Sequence, residues 1–178
     1  MSANAPTRAG DRAPALGRPR ALETILYGGL IVGALDGLFA LVFYGLVLGV
    51  PKLRIFQSVA AGLLGRASFE GGWPTFLLGV LLHFAVASCI AAVYYAASLK
   101  LPVLLRRPVV CGLIYGLLAH LGMNYVVIPL SAATPGRFSL RTFLPAFIAH
   151  AFLVGLPVAL VARRAARAGG RAQRSPAA

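Results

Sequence analysis

Four stretches of this chain, Ala21–Val50, Trp73–Ser98, Pro108–Leu130 and Arg141–Ala162, are each apolar over at least the ~20 residues a helix needs to cross bilayer hydrocarbon. Polar side chains within them are too few to form a solvated face, so none is an amphipathic helix of a soluble domain. The chain is 59% hydrophobic and 12% charged. Folded in water, such a chain would expose apolar patches large enough to aggregate. The sequence therefore predicts an all-α polytopic membrane protein. Four transmembrane helices occupy 21–162, a short interfacial helix joins the first two, and disordered basic tails cover 1–20 and 163–178.

The first apolar run is too long for a cleaved signal peptide, and it holds Asp36 and Tyr44. No lipidation motif is visible. Cys89 and Cys111 both fall inside spans, which suggests small buried hydrophobes rather than a disulfide framework.

The formal net charge is +13, and its placement carries the information. Arg8, Arg12, Arg18 and Arg20 precede the first span; Lys100, Arg106 and Arg107 lie between the second and third; Arg163, Arg164, Arg167, Arg171 and Arg174 follow the fourth. In a four-span chain these share one side. The other side has only Lys52, Arg54, Arg66, Arg137 and Arg141. The positive-inside rule then places both termini in the cytoplasm, with the chain in a bacterial inner membrane. Arg106, Arg107, Arg163, Arg164 and Arg167 are expected to meet anionic lipid headgroups. A nucleic-acid partner is not expected, because the bases flank spans instead of forming one patch interleaved with aromatics.

Tyr27, Tyr44, Trp73, Tyr94, Tyr95 and Tyr125 fall toward span ends, where amphipathic rings favour the headgroup boundary. Pro74 and Pro108 suit helix starts, and Ser139 suits an N-cap. In the first connection, Leu53, Phe56, Val59 or Ala60, and Leu63 recur at helical spacing, with Lys52, Arg54, Gln57, Ser58 and Arg66 supplying polarity. That pattern predicts a helix lying on the outer membrane surface.

Helices in lipid pack through small residues and polar contacts. Gly29, Gly33 and Gly37 form a ladder in the first span, with Asp36 beside it. Thr75, Gly79, His83 and Ala87 share a stripe in the second; Gly112, Gly116, His120 and Asn124 in the third; Ala146, His150 and Val154 in the fourth, with Pro157 expected to bend that helix farther on. Asp36, His83, His120 and His150 thus stand near the middle of one span each, on or beside the face likeliest to point inward by this rule. A titratable group at that depth is costly and is a functional-site hypothesis by default.

Several roles fit such a cluster, with Asn124 beside it. Its members can act as hydrogen-bonding glue between helices in a structural or interaction module. They can also form a proton- or ion-linked pathway, in which histidine exchanges protons beside Asp36. Asp36, His83, His120 and His150 are also candidate ligands for zinc, iron or copper, although no local pair such as HExxH marks a site. A haem between His83 and His120 is a variant, with room made by Gly79 and Gly116. No cofactor is expected. No nucleophile–base pair or phosphate-cradling loop indicates an enzyme, and Ser88 lies off the stripe of His83. The glycine ladder of the first span serves packing within one chain or between two copies.

The strings HFAVASCIAAVYY, GLIYGLLAHLGMNYVVIPL and FIAHAFLVGLPVALVARR, with four spans and a long first loop, resemble the YagU-like group of bacterial inner-membrane proteins. The shared features are His83, then Gly112, Gly116, Pro129 and Leu130, then His150, Arg163 and Arg164. The resemblance covers roughly 73–164, and the loop after the first span is shorter here. It implies the fold and the location. It implies no activity.

Overall fold

The computed structural model describes residues 19–134, 136 and 138–172. Among these, every regular element is helical. The elements are α1 (Glu23–Val47), α2 (Lys52–Leu64), α3 (Gly72–Lys100), α4 (Val103–Arg106), α5 (Pro108–Leu130) and α6, whose span is Leu140–Gly169 and whose last segment continues to Ala172. The four long ones, α1, α3, α5 and α6, are long and apolar enough to cross a membrane. A helix satisfies its backbone polar groups internally, which hydrocarbon demands. Leu38, Leu46, Leu77, Leu81, Ile114, Leu118 and Phe152 point outward and give the bundle an apolar exterior.

Close approach of helices rests on glycine. Gly29 and Gly33 of α1 sit against Ser88 and Phe84 of α3, and Gly37 faces His83 and Phe56. Gly112 and Gly116 of α5 press on Gly155, His150 and Ala151 of α6 so tightly that a methyl at position 116 would lie 2.7 Å from the Ala151 Cα. Gly79 of α3 is in contact with the Phe56 carbonyl of α2. All six glycines singled out in the sequence are therefore occupied by contacts within the chain, and Gly155 joins them. One end of the bundle closes over a core of Ala91, Tyr94, Leu105, Val158, Ala159, Ala162 and Ala166.

Several expectations need correction. The last segment of the fourth helix, Leu156–Ala172, runs past Ala162, where a tail was expected. Ala162, Ala165 and Ala166 recur at helical spacing and are buried, and two of them share the apolar cluster with Leu105, so packing carries the helix on. The first 18 residues and the last six lie outside the described residues. Tyr94, read as an interfacial ring, is fully buried within the protein, and its hydroxyl donates to the Leu104 carbonyl at 3.0 Å. Tyr115, on α5, donates to Ile90 of α3 at 2.6 Å and packs edge-on against Tyr94. Cys89 is exposed on the bundle's exterior rather than buried, and Cys111 is half-buried. Ser139 precedes α6 as expected, but its carbonyl, not its hydroxyl, receives the N–H groups of Thr142 and Phe143.

The helix expected between the first two spans is α2, and its packing differs from the reading. Gly49 and Gly65 adopt φ of 70° and 59° at its two ends, a backbone that favours glycine. Ile55, Phe56, Gln57, Ala60 and Ala61 turn toward the protein, whereas Leu63 is exposed. Gln57, assigned to the polar side, is 2% exposed. Its amide nitrogen donates to the Gly72 carbonyl and to Thr75 Oγ1 at 3.0 and 3.1 Å. Farther along, Gly62 O accepts from Ala132 N at 2.9 Å. So α2 is strapped across the bundle end opposite Leu105, tied to α3 and to the segment after α5.

Candidate functional site

Three of the long helices contain π-helical turns; besides the one that opens α1 (Glu23–Tyr27), each helix has one that holds a polar residue lining the bundle interior. In α5 the wide turn is Met123–Val127, which holds Asn124; in α6 it is His150–Gly155. Proline explains both. Pro129 and Pro157 lack an N–H and clash with the carbonyl four residues back, and widening the preceding turn relieves the clash. Pro157 therefore acts on the turn that begins at His150 itself. In α1 the wide turn Leu41–Val47 holds Tyr44. Such turns are rare and recur at functional sites.

Asp36, His83, His120, Asn124 and His150 all line one cavity of about 290 Å³. Tyr44 lines it too, a residue first read as an interfacial marker. The signal was present: Asp36, Ala40 and Tyr44 fall at steps of four and share one face of α1. A second cavity of about 430 Å³ shares Asp36, Tyr44, Val59 and His83, and reaches Arg54 and Ser58 on exposed positions of α2. A third, of about 280 Å³, shares Tyr44, His120 and Asn124, and reaches Phe138 and Ser139 before α6. The polar centre is thus approached from the end that carries α2. Toward the other end, Val32, Ala87, Ile90 and Val154 wall it off, with the alanine and tyrosine core beyond.

The hydrogen bonds fix most tautomers. His83 Nε2 lies 2.9 Å from the Gly33 carbonyl, so that nitrogen donates, and the bond joins α3 to α1. His150 Nδ1 lies 2.9 Å from the carbonyl of Ala146 and also carries its proton. Asn124 Nδ2 donates to the His120 carbonyl at 2.9 Å and faces His120 Nε2 at 3.3 Å. The Nε2 is therefore the acceptor, and the proton of His120 is on Nδ1. That Nδ1 is buried and has no partner among the described residues. The His120 ring meets His150 at 4.6 Å between centroids, with the planes at 71°. Phe143 and Phe147 pack against it at 5.0 and 5.7 Å.

Asp36 Oδ1 stands 3.9 Å from His150 Nδ1, beyond hydrogen-bond reach, and its side chain is 20% exposed to the cavity. No other cation lies within ion-pair distance among the described residues. Among the described residues, only one of the five polar residues, His83, bonds across helices. His150 and Asn124 bond within their own helices, and Asp36 has no hydrogen bond at all among the described residues. Among these five, only His83 helps hold helices together by a hydrogen bond among the described residues, and the others line the cavity.

The four candidate ligands do not come together as a metal cluster. Among the described residues no three His, Cys, Asp or Glu side chains are arranged to hold an ion. His83 is turned to the Gly33 carbonyl, and the proton on His150 Nδ1 points along its own helix. No protein-family model, curated protein or solved structure matches this chain.

Proposed function

We propose that this is a multi-pass protein of the bacterial inner membrane that takes up a proton or a small cation at Asp36, as a component of proton- or ion-linked transport. One observation carries the reading: Asp36 lines a cavity in the bundle, accepts no hydrogen bond among the described residues, and has His150 Nδ1 3.9 Å away as its one ion-pair neighbour among them. A carboxylate at such a site costs several kcal/mol unless a positive partner joins it. His150 and His120 stand beside it as an edge-to-face pair of titratable rings.

The orientation belongs to the same proposal. Leu105 packs with Ala162 and Ala166, which brings the exposed Arg106, Arg107, Arg164 and Arg167 to one end of the bundle. Those bases favour a cytoplasmic end touching anionic headgroups, so the cavity opens to the opposite face, with α2 at that surface. Kinship with the YagU-like group is proposed on the strings quoted above.

Proton flux into proteoliposomes carrying a trapped pH dye tests the reading. The wild-type protein is expected to pass protons down an imposed gradient. Asp36→Asn should abolish that flux and leave the protein folded. Equal proton flux in both, or neither proton nor sodium or potassium flux above empty liposomes, would refute it.

A further inference from the structure

The three cavities have one lining residue in common, Tyr44. The cavity beside α2 and the cavity at the start of α6 share no other. Each of them shares more with the central cavity: Asp36, Val59 and His83 on the α2 side, His120, Asn124, Ile128 and Ala146 on the α6 side. Asp36 lines the central and α2-side cavities but not the one at α6. A ring that walls all three spaces keeps them apart, and deleting it joins them.

The local structure holds that ring in place. Tyr44 lies in the wide turn Leu41–Val47, and α1 contains no proline to account for the widening. The turn is closed from beyond the helix instead: the Leu48 N–H donates to the Phe43 carbonyl at 3.0 Å, and the Val50 N–H to the Tyr44 carbonyl at 2.9 Å. Gly49, at φ 70°, lets the chain turn back to make the second bond. Phe43 and Phe39 meet the Tyr44 ring edge-on at 5.2 and 6.5 Å, contacts that favour one ring orientation.

We infer that Tyr44 is a partition that gives the polar centre two separate entrances, one beside α2 and one at the start of α6. Both reach exposed residues: Arg54 and Ser58 at the first, Phe138 and Ser139 at the second. Entry beside α2 leads straight to Asp36. Entry at α6 leads first to His120 and Asn124, and reaches Asp36 only by crossing the central cavity, which His150 also lines. Tyr44 is thus a positioning residue: its ring keeps the histidine pair on one of the two paths. This division of access holds whether or not Asp36 takes up an ion.

Chemical access to Asp36 tests this in the full-length protein in mild detergent. Ser58, exposed on the α2-side cavity, is replaced by cysteine, with Cys89 and Cys111 replaced by serine. Coupling N-pyrenylmaleimide at position 58 plugs that entrance. A water-soluble carbodiimide with glycinamide then converts reachable carboxyls to amides, read at Asp36 by peptide mass spectrometry and scaled to Glu23 at the far end of α1. With Tyr44 in place, the plug should slow amidation of Asp36 about tenfold, because reagent then waits on local opening of the bundle. Tyr44→Phe should behave the same, since the ring is the wall. In Tyr44→Ala reagent arrives through the joined cavities from α6, so the plug should make no difference. No slowing by the plug in the Tyr44 protein, loss of the slowing in Tyr44→Phe, or the same slowing in Tyr44→Ala would each overturn the inference. The first two comparisons keep the ring and do not need Tyr44→Ala to fold. Amidation does not depend on transport, so absent flux would sink the proposed function and leave the partition standing. Flux with unpartitioned access would do the reverse.

Discussion

Gly116→Ala is the substitution that most severely tests the packing that frames the cavity. The added methyl would overlap the His150 carbonyl and lie 2.7 Å from the Ala151 Cα. Both obstacles are backbone, so no side chain can swing away; α5 and α6 must part by most of an ångström. Overpacking of this kind costs about 1–3 kcal/mol. Alanine returns roughly 0.5–1 kcal/mol through helix propensity. Gly122, on the same helix, has open space where its methyl would go. Gly122→Ala should therefore gain about 0.5–1 kcal/mol and nothing else. The two variants should differ by roughly 1–3 kcal/mol in unfolding by sodium dodecyl sulfate from mixed micelles, followed by circular dichroism. If Gly116→Ala unfolds at the same detergent fraction as Gly122→Ala, the backbones of α5 and α6 are not in contact at this point. The geometry given for His120 and His150 then fails with them.

Other outcomes follow from single contacts. Gln57→Leu removes both bonds that tie α2 to Gly72 and Thr75, so at about 0.5–1.5 kcal/mol each it should cost about 1–3 kcal/mol and speed protease cleavage between 49 and 72. Tyr94→Phe deletes the bond to Leu104 and should lower stability by about 0.5–1.5 kcal/mol, read by the same detergent unfolding. His120→Phe removes an unsatisfied buried donor, so stability should hold or rise in that assay while proton flux falls.

Length and apolarity made the four long helices legible, since hydrocarbon thickness sets both. The glycine stripes were legible because close approach in lipid requires small residues at steps of four. The depth of Asp36, His83, His120 and His150 followed from simple position. Facing was harder. A helix that is apolar all round carries no amphipathic signal to separate lipid from protein, so Tyr94 and Tyr44 read as boundary markers when they point inward. Gln57 read as solvated because its only partners, Gly72 and Thr75, are brought to it by tertiary packing. Arginine among alanines in 163–172 read as a tail, although the alanine spacing alone supports a buried helix face. The wide turns at Asn124 and His150 trace to Pro129 and Pro157, but their consequence, turning both residues into one cavity, needs the neighbouring helices in place.

The central claim is that Asp36 stands in a cavity open from the α2 end and closed from the arginine-rich end. Thiol labelling tests this most directly, using Asp36→Cys in a background where Cys89 and Cys111 are replaced by serine, with a charged, membrane-impermeant methanethiosulfonate reagent. Reaction from the face that carries α2, and protection from the face that carries the C-terminus, is the predicted result. Protection from both faces, or equal reaction from the arginine-rich face, would contradict it.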